Sequence, residues 1–374
     1  MPLVLLAAGG TGGHLFPAEA LAEALQRRGI EVDLATDERA TRYGRDFPAR
    51  KTHVIPSATL RGRDPISLAR TAGMLAFGTT KALMLLRRIR PAAVVGFGGY
   101  PTLPPVAAAT LLRIPSIIHD ANAVMGRANR MLSSRVTAIA TSFPGIALEP
   151  RLAAKATFTG NPVRPMVLAA ARESYPALVP GGPIRLLVFG GSQGARVMAD
   201  VAPAAIERLA PELRARLSVV QQARGEDETR VREAHARIGV SAEIAPFFAD
   251  LPARIAASHL VISRSGASTV AELAAIGRPA ILVPLPHALD QDQLANANVL
   301  GRAGGALVLK QDDFTPERLA GEIATLVAEP PRLFAMAAGA KSAGALDAAD
   351  ALADLVLRVA NVIPARGVSR GTSG

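Results

Sequence analysis

Apolar and polar positions run in alternating blocks along this chain. Residues 3–8 are an unbroken apolar stretch that ends in glycine, the pattern of a short strand buried on both faces. A helical stretch at about 17–28 follows, with Gly29 as its stop, and 31–36 is a second strand. Apolar runs at 93–97, 116–119 and 136–140 predict further strands with helices between them. The rhythm then restarts. Residues 184–189 form an apolar strand, Gly190-Gly191-Ser192-Gln193-Gly194 a turn, and a helix opens at Ala195; strands follow at 217–221, 259–263, 280–283 and 306–309. Both halves thus open with strand, glycine turn and helix, the mark of an α/β chain built from two parallel sheets covered on both faces. The prolines of Asn161-Pro162-Val163-Arg164-Pro165 predict a stiff connector. The expected layout is an amino-terminal domain over 1–160, a linker over 161–165 and a second domain over 166–345. A helix over 346–362 is expected to pack back on the first domain, with a disordered tail over 363–374.

Length and composition fit this layout. The 374 residues allow two domains, 49% of them are apolar, and cysteine is absent, which removes disulfides and thiolate chemistry. A net charge of +11 asks for a reason. Readers of single-stranded nucleic acid need exposed aromatics, and the chain has three Tyr and no Trp; helix-turn-helix and zinc-finger spacings are missing as well. No nucleic-acid partner is expected. An anionic membrane surface, a phosphorylated substrate or plain solubility each accounts for the charge. Residues 91–112 carry no charge, as a spanning helix would, yet they hold Gly96, Gly98, Gly99, Pro101, Pro104 and Pro105. Those breakers predict a strand, a turn and a short helix, so the protein is expected to be soluble or peripheral.

The chemistry gathers at the turns. Glycines between a strand and a helix let the backbone approach a ligand, and the helix start offers N–H groups to an anion. Gly9-Gly10-Thr11-Gly12-Gly13-His14 and the turn at 190–194 both qualify. Neither is a dinucleotide fingerprint, since Leu15 and Ser192 stand where glycine is required, and no Gly-Lys pair exists for a P-loop. His14 at a helix start would be kept neutral by the helix dipole and available as a base, although a lone histidine is more often structural. Arg264-Ser265-Gly266-Ala267-Ser268-Thr269-Val270-Ala271-Glu272 offers hydroxyls and N–H groups and then a carboxylate, which suits a ribose diol or merely a surface helix. Asp290, Gln291, Asp292 and Gln293 suit sugar hydroxyls or a solvated loop. The stretch 65–90 sets Met74, Leu75, Phe77, Leu83, Met84, Leu86 and Ile89 beside Arg70, Lys81, Arg87, Arg88 and Arg90, with Arg61 and Arg63 just before. It reads equally as a patch for anionic lipid and as a core helix with a charged end.

Taken in order, these motifs resemble one family, the peptidoglycan N-acetylglucosaminyltransferases of the MurG type that convert lipid I to lipid II. The resemblance rests on 9–14, Gly96-Phe97-Gly98-Gly99-Tyr100, His119-Asp120-Ala121-Asn122, Gly160-Asn161-Pro162-Val163-Arg164, the turn at 190–195, 264–272 and the stretch from Asp292-Gln293 to Asn296-Ala297. It implies a GT-B fold, two Rossmann-like parallel-sheet domains facing across a cleft. It also implies inverting transfer of N-acetylglucosamine from UDP-GlcNAc to the C4 hydroxyl of the muramyl-pentapeptide of undecaprenyl-diphosphate-linked lipid I. By motif, Ser192 would meet the donor diphosphate, Glu272 the ribose, Gln293 the sugar, and Phe248 the uracil through its backbone. Thr11, Gly12, Gly13, Asn122, Arg164, Ala267, Ser268, Thr269, Val270 and Ala271 would complete the donor site. Gly12, Gly13, Gly98, Gly99 and Tyr100 would face the acceptor diphosphate. His14 is the candidate base. No cofactor or metal is obligatory, with a divalent cation at most a stimulant. The implied partners are UDP-GlcNAc, lipid I, an anionic membrane surface and other cell-wall synthesis enzymes, at the cytoplasmic face of the inner membrane. Two departures stand out: Asp120 where the family usually has Glu, and Asp292 where it has the first of two Gln. A transferase acting on a membrane diacylglycerol, a non-catalytic nucleotide-binding subunit and a Rossmann oxidoreductase are the alternatives.

Overall fold

The computed structural model describes residues 1–9, 12–38, 47–58, 64–146, 148–191, 194–286 and 291–362. They form two units. The first holds Met1–Ala121, Met125–Arg164 and the chain from Asp347 on; the second holds Asn122–Val124 and Pro165–Leu346.

In the first unit, β1 (Leu3–Ala7), β2 (Glu31–Thr36), β3 (Lys51–Val54), β4 (Ala93–Gly96), β5 (Ser116–Asp120), β6 (Ala138–Thr141) and β7 (Ala156–Phe158) form one sheet. Its order is β3-β2-β1-β4-β5-β6-β7, with every neighbouring pair parallel. One face buries Val4, Leu6, Val32 and Leu34 under the helix Gly12–Arg27 and under Leu352, Ala353, Leu355 and Val356 of the helix Ala348–Ala360. The other face buries Leu5, Ala7, Val94 and Ile118 under the helices Pro65–Ile89, Leu103–Leu111 and Arg127–Ser133.

The second unit repeats the plan. Its strands are β8 (Ile184–Phe189), β9 (Leu217–Gln222), β10 (Ser241–Ala245), β11 (Leu260–Ser263), β12 (Ala280–Leu282) and β13 (Ala306–Val308). Their order is β10-β9-β8-β11-β12-β13, again parallel throughout. In each sheet the strand that opens the unit lies between its successor and a later strand. That is a topological switch point, where a crevice opens beyond the strands' carboxyl ends. It lies between β1 and β4 in the first unit and between β8 and β11 in the second.

Four features differ from the sequence expectations. Strands β3, β7 and β10 escape the apolar-run criterion because each is a sheet edge with mostly half-buried or exposed positions. The first helix begins at Gly12 rather than near Pro17, since tertiary packing overrides the proline that marks a helix start. The expected connector is packed rather than free-standing: the boundary between the units falls inside it, after Arg164, while Asn161 and Val163 are buried and Pro165 already starts the helix Pro165–Ala170. Finally, the helix Pro65–Ile89 is neither wholly core nor wholly patch. Ala82, Leu85 and Leu86 are buried, whereas Ile66, Met74, Phe77 and Met84 are exposed. The charge-free stretch becomes β4, a turn at Tyr100–Thr102 and the helix Leu103–Leu111. Among the described residues no helix is long and apolar enough to cross a membrane. The tail at 363–374 lies outside the described residues.

Candidate active site

At the first switch point the turn after β1 leads into the helix Gly12–Arg27 and the turn after β4 passes Gly98 and Gly99. Both of these glycines have positive φ, +87° and +71°. A Cβ on Gly98 would stand 3.5 Å from the His14 ring and one on Gly99 3.3 Å from it, so the imidazole lies directly on bare backbone. The Thr102 hydroxyl, donating toward the carbonyls of Gly98 (2.6 Å) and Ala7 (3.1 Å), ties the two turns together from below. Burial pushes the His14 ring below its ordinary pKa, against a smaller opposing effect of its hydrogen bond to the Gly9 carbonyl. The ring is therefore neutral near pH 7.

Beside it lies a polar cluster that sequence reading found only in part. His119 is fully buried, its Nε2 3.2 Å from the Gly160 carbonyl and from Ser142 Oγ, and its ring tilted against Phe97. Its pKa is lowered to about 4, chiefly by burial, with the Gly160 hydrogen bond opposing the shift and the nearby His14 adding to it. Asp120 accepts hydrogen bonds from the Gly126 N–H at 2.9 Å and from Asn129 Nδ2 at 3.0 Å. The shorter carboxylate thus anchors the loop that follows it. Asn129 also donates to the His119 carbonyl, and its Nδ2 would lie 3.4 Å from a Cβ on Gly98. No motif announced Asn129, a single amide between basic residues. Tyr100 is half-buried at the start of its turn. Arg164 belongs to this unit and stacks its guanidinium 3.9 Å over the Phe16 ring, which in turn sits where any side chain on Gly12 would go. Gly13 lies in the first turn of the same helix. Thr11 lies outside the described residues.

At the second switch point, Gly190 closes the turn so tightly that a Cβ there would fall 2.1 Å from the Ala195 nitrogen. Ser192, Gln193 and Asp290 lie outside the described residues. The helix Ala267–Ile276 starts after β11 from Gly266 with no side-chain cap, leaving the N–H groups around Ala267, Ser268 and Thr269 for another acceptor. Val270 and Ala271 continue that first turn, and Ser268 Oγ is buried without a hydrogen-bond partner. Glu272 is buried (7% exposed) and is therefore not a surface carboxylate that merely favours its helix. Gln293 is the second residue of the helix Asp292–Arg302, where its Oε1 accepts from the Leu285 N–H and its carbonyl from Ser265 Oγ. Asn296, one turn on, accepts from the Ala123 N–H and donates to Asn122 Oδ1 at 3.0 Å. Asn122 is thus tied to the second unit. Phe248 is buried under the Arg254 guanidinium at 4.3 Å, and Arg254 is held by Glu243 and Asp250. The Phe248 side chain therefore has little surface for a ligand.

Each unit, taken alone, has the architecture of half a GT-B glycosyltransferase. Residues 4–141 match the glycosyltransferase family 28 N-terminal domain and residues 185–352 the family 28 C-terminal domain. The UDP-N-acetylglucosamine–N-acetylmuramyl-(pentapeptide) pyrophosphoryl-undecaprenol N-acetylglucosamine transferase of Rhodopseudomonas palustris (strain BisA53) is 64% identical over 366 residues, 98% of each chain. The protein of the same description from Nitrobacter hamburgensis is 61% identical over 364 residues, covering 96% of this chain and 98% of that one. The crystal structure of Acinetobacter baumannii MurG is similar at a TM-score of 0.78 and 28% identity, over 96% of this chain and all of that one. A UDP co-structure of S. aureus MnaA shares the fold alone, at a TM-score of 0.67 and 14% identity. The chain belongs to glycosyltransferase family 28, among the transferases that carry the description of these Rhodopseudomonas and Nitrobacter relatives.

Proposed function

We propose that this protein transfers N-acetylglucosamine from UDP-GlcNAc to the muramyl-pentapeptide of undecaprenyl-diphosphate-linked lipid I, giving lipid II for peptidoglycan synthesis. The observation that carries the mechanism is the imidazole of His14 lying on Gly98 and Gly99, where burial lowers its pKa. Inverting transfer needs a base for the acceptor hydroxyl and a stabilised leaving diphosphate. His14 takes the proton from the C4 hydroxyl as that oxygen bonds to the anomeric carbon, and the bond to UDP breaks with its electrons leaving on the diphosphate. The N–H groups of the second glycine turn and Arg164 receive that charge, so no bound metal is required and a divalent cation only stimulates. Glu272 accepts from the ribose, Gln293 meets the sugar, Asn122 lines the donor site, and the Phe248 backbone meets the uracil. The glycines at 12–13 and 98–99, with Tyr100, receive the acceptor diphosphate.

The exposed side of the helix Pro65–Ile89 supports a peripheral position on an anionic bilayer. Ile66, Arg70, Met74, Phe77, Lys81, Met84 and Arg88 recur at spacings of three and four residues along one exposed stripe. The proposed location is the cytoplasmic face of the inner membrane, beside other cell-wall synthesis enzymes. The deciding experiment is a transfer assay with labelled UDP-GlcNAc and a short-chain lipid I analogue. Incorporation that persists in EDTA is expected, and no incorporation by well-folded protein rejects the assignment.

A further inference from the structure

The carboxyl end of β9 carries a side chain that none of the roles above uses. Gln222 is buried, and its amide is committed at both ends. Oε1 accepts the Gly190 N–H at 3.0 Å, and Nε2 donates to the Pro246 carbonyl at 3.1 Å. Because β9 lies between β8 and β10, these partners are the first residues beyond the two flanking strands. Gly190 opens the turn assigned to the donor diphosphate. Pro246 opens the segment that reaches Phe248, assigned to the uracil.

We propose that Gln222 is a positioning residue that sets the separation of the diphosphate-binding turn from the uracil-binding segment, so that both ends of a uridine diphosphate are held at once. The inference rests on the donor-site reading above. Each wall has an anchor of its own. The turn at Gly190 is closed against Ala195, and Arg224 donates to the Gly194 carbonyl at 3.2 Å to brace its far end. The Phe248 ring is pinned by Arg254, which Glu243 and Asp250 fix in turn. Sheet pairing of β9 with β8 and β10 stops short of these loops, and Gln222 is the side chain that spans the ends of all three strands. Only a neutral amide suits the task, since it presents one acceptor and one donor from the same group. Glutamate offers two acceptors and would face the Pro246 carbonyl unfavourably; methionine offers neither partner a hydrogen bond.

A linker of this kind acts on the ligand as a whole rather than on its parts, because holding two joined fragments at the right spacing multiplies their separate affinities. The test is calorimetric binding of UDP, uridine and pyrophosphate to the full chain and to Gln222→Met and Gln222→Glu. Uridine and pyrophosphate should each bind the variants within about twofold of the parent, while UDP should weaken by roughly tenfold, with a matching rise in donor KM and an unchanged acceptor KM. Gln222→Glu keeps the size and the acceptor for Gly190, and decides the matter if Gln222→Met does not fold. Unaltered UDP binding in a folded variant, or an equal loss for UDP and its fragments, overturns the role. Failure of the parent protein itself to bind UDP would instead remove the donor-site reading, and this role with it.

Discussion

At the residue scale the chemistry turns on one imidazole and the bare backbone beneath it. Since burial holds the His14 pKa below 6.5, the acid limb of a pH–rate profile should fall below pH 6.5. His14→Asn keeps polarity and approximate size but supplies no base, so kcat should drop by about a hundredfold or more with the donor KM little changed. Near-normal turnover at saturating substrates would send the search for the base elsewhere. Gly98→Ala should also impair turnover, because alanine at φ +87° is strained and would shift the backbone on which His14 lies. Arg278 is a purely structural counterpart. Its guanidinium is buried and donates to the carbonyls of Ala256, Ile276, Gly277, Glu173 and Ser174, where the ends of three short chain segments converge. Replacing it by Met would strand five acceptors, and a loss of about 3 kcal/mol or more is expected in urea unfolding. Arg278→Lys should recover only part of it, as an ammonium has fewer donors and no planar fork.

At the element scale, the helix Pro65–Ile89 does two jobs with two faces. Asp64 caps its start by accepting from the Ser67 N–H, and its inner face joins the first unit's core. The outer stripe should bind vesicles containing anionic lipid and bind neutral vesicles much less. Replacing Ile66 and Phe77 together by Glu should abolish that preference without lowering turnover on a water-soluble acceptor; equal binding to both kinds of vesicle would discard the idea. Elements also divide by how readable they are. The central strands β1, β4, β8 and β11 stand out because burial on both faces demands continuous apolar runs. The edges β3, β7 and β10 carry Lys51, Thr157, Ser241 and Glu243 among their few residues, so nothing local separates them from loops. Their pairing with a neighbour already in place is what makes them strands.

At the scale of the whole molecule, buried neutral histidines set the acid limit of stability. His119 and His235 each have a pKa near 4, lowered chiefly by burial, and His14 and His259 are shifted the same way. In the unfolded chain these rings take up protons near pH 6.5. As pH falls below that value the unfolded state gains protons that the folded state refuses, so stability declines between about pH 6.5 and 4 and the decline levels off below it. The cost is on the order of 3 kcal/mol for each ring shifted to about 4, as an upper bound. Denaturant midpoints across that range should fall steadily. His235→Gln, which can still donate to Gln221 as the ring does at 2.9 Å, should flatten the slope, and an unchanged slope would show that other groups govern it.

Local sequence determined the strand–turn–helix units, the two glycine turns, the helix start at Ala267, and the family to which these motifs belong. Each of these depends on neighbours within a few residues: glycine for backbone clearance, apolar runs for burial, and bare N–H groups at a helix start. Tertiary structure alone decided which residues meet. It laid His14 on Gly98 and Gly99, brought Asn129 to Asp120 across nine residues, stretched Gln222 between Gly190 and Pro246, and buried Glu272 and the expected linker. A single polar side chain leaves no periodic trace in sequence, and its partner is chosen only when the sheet order brings distant strand ends together.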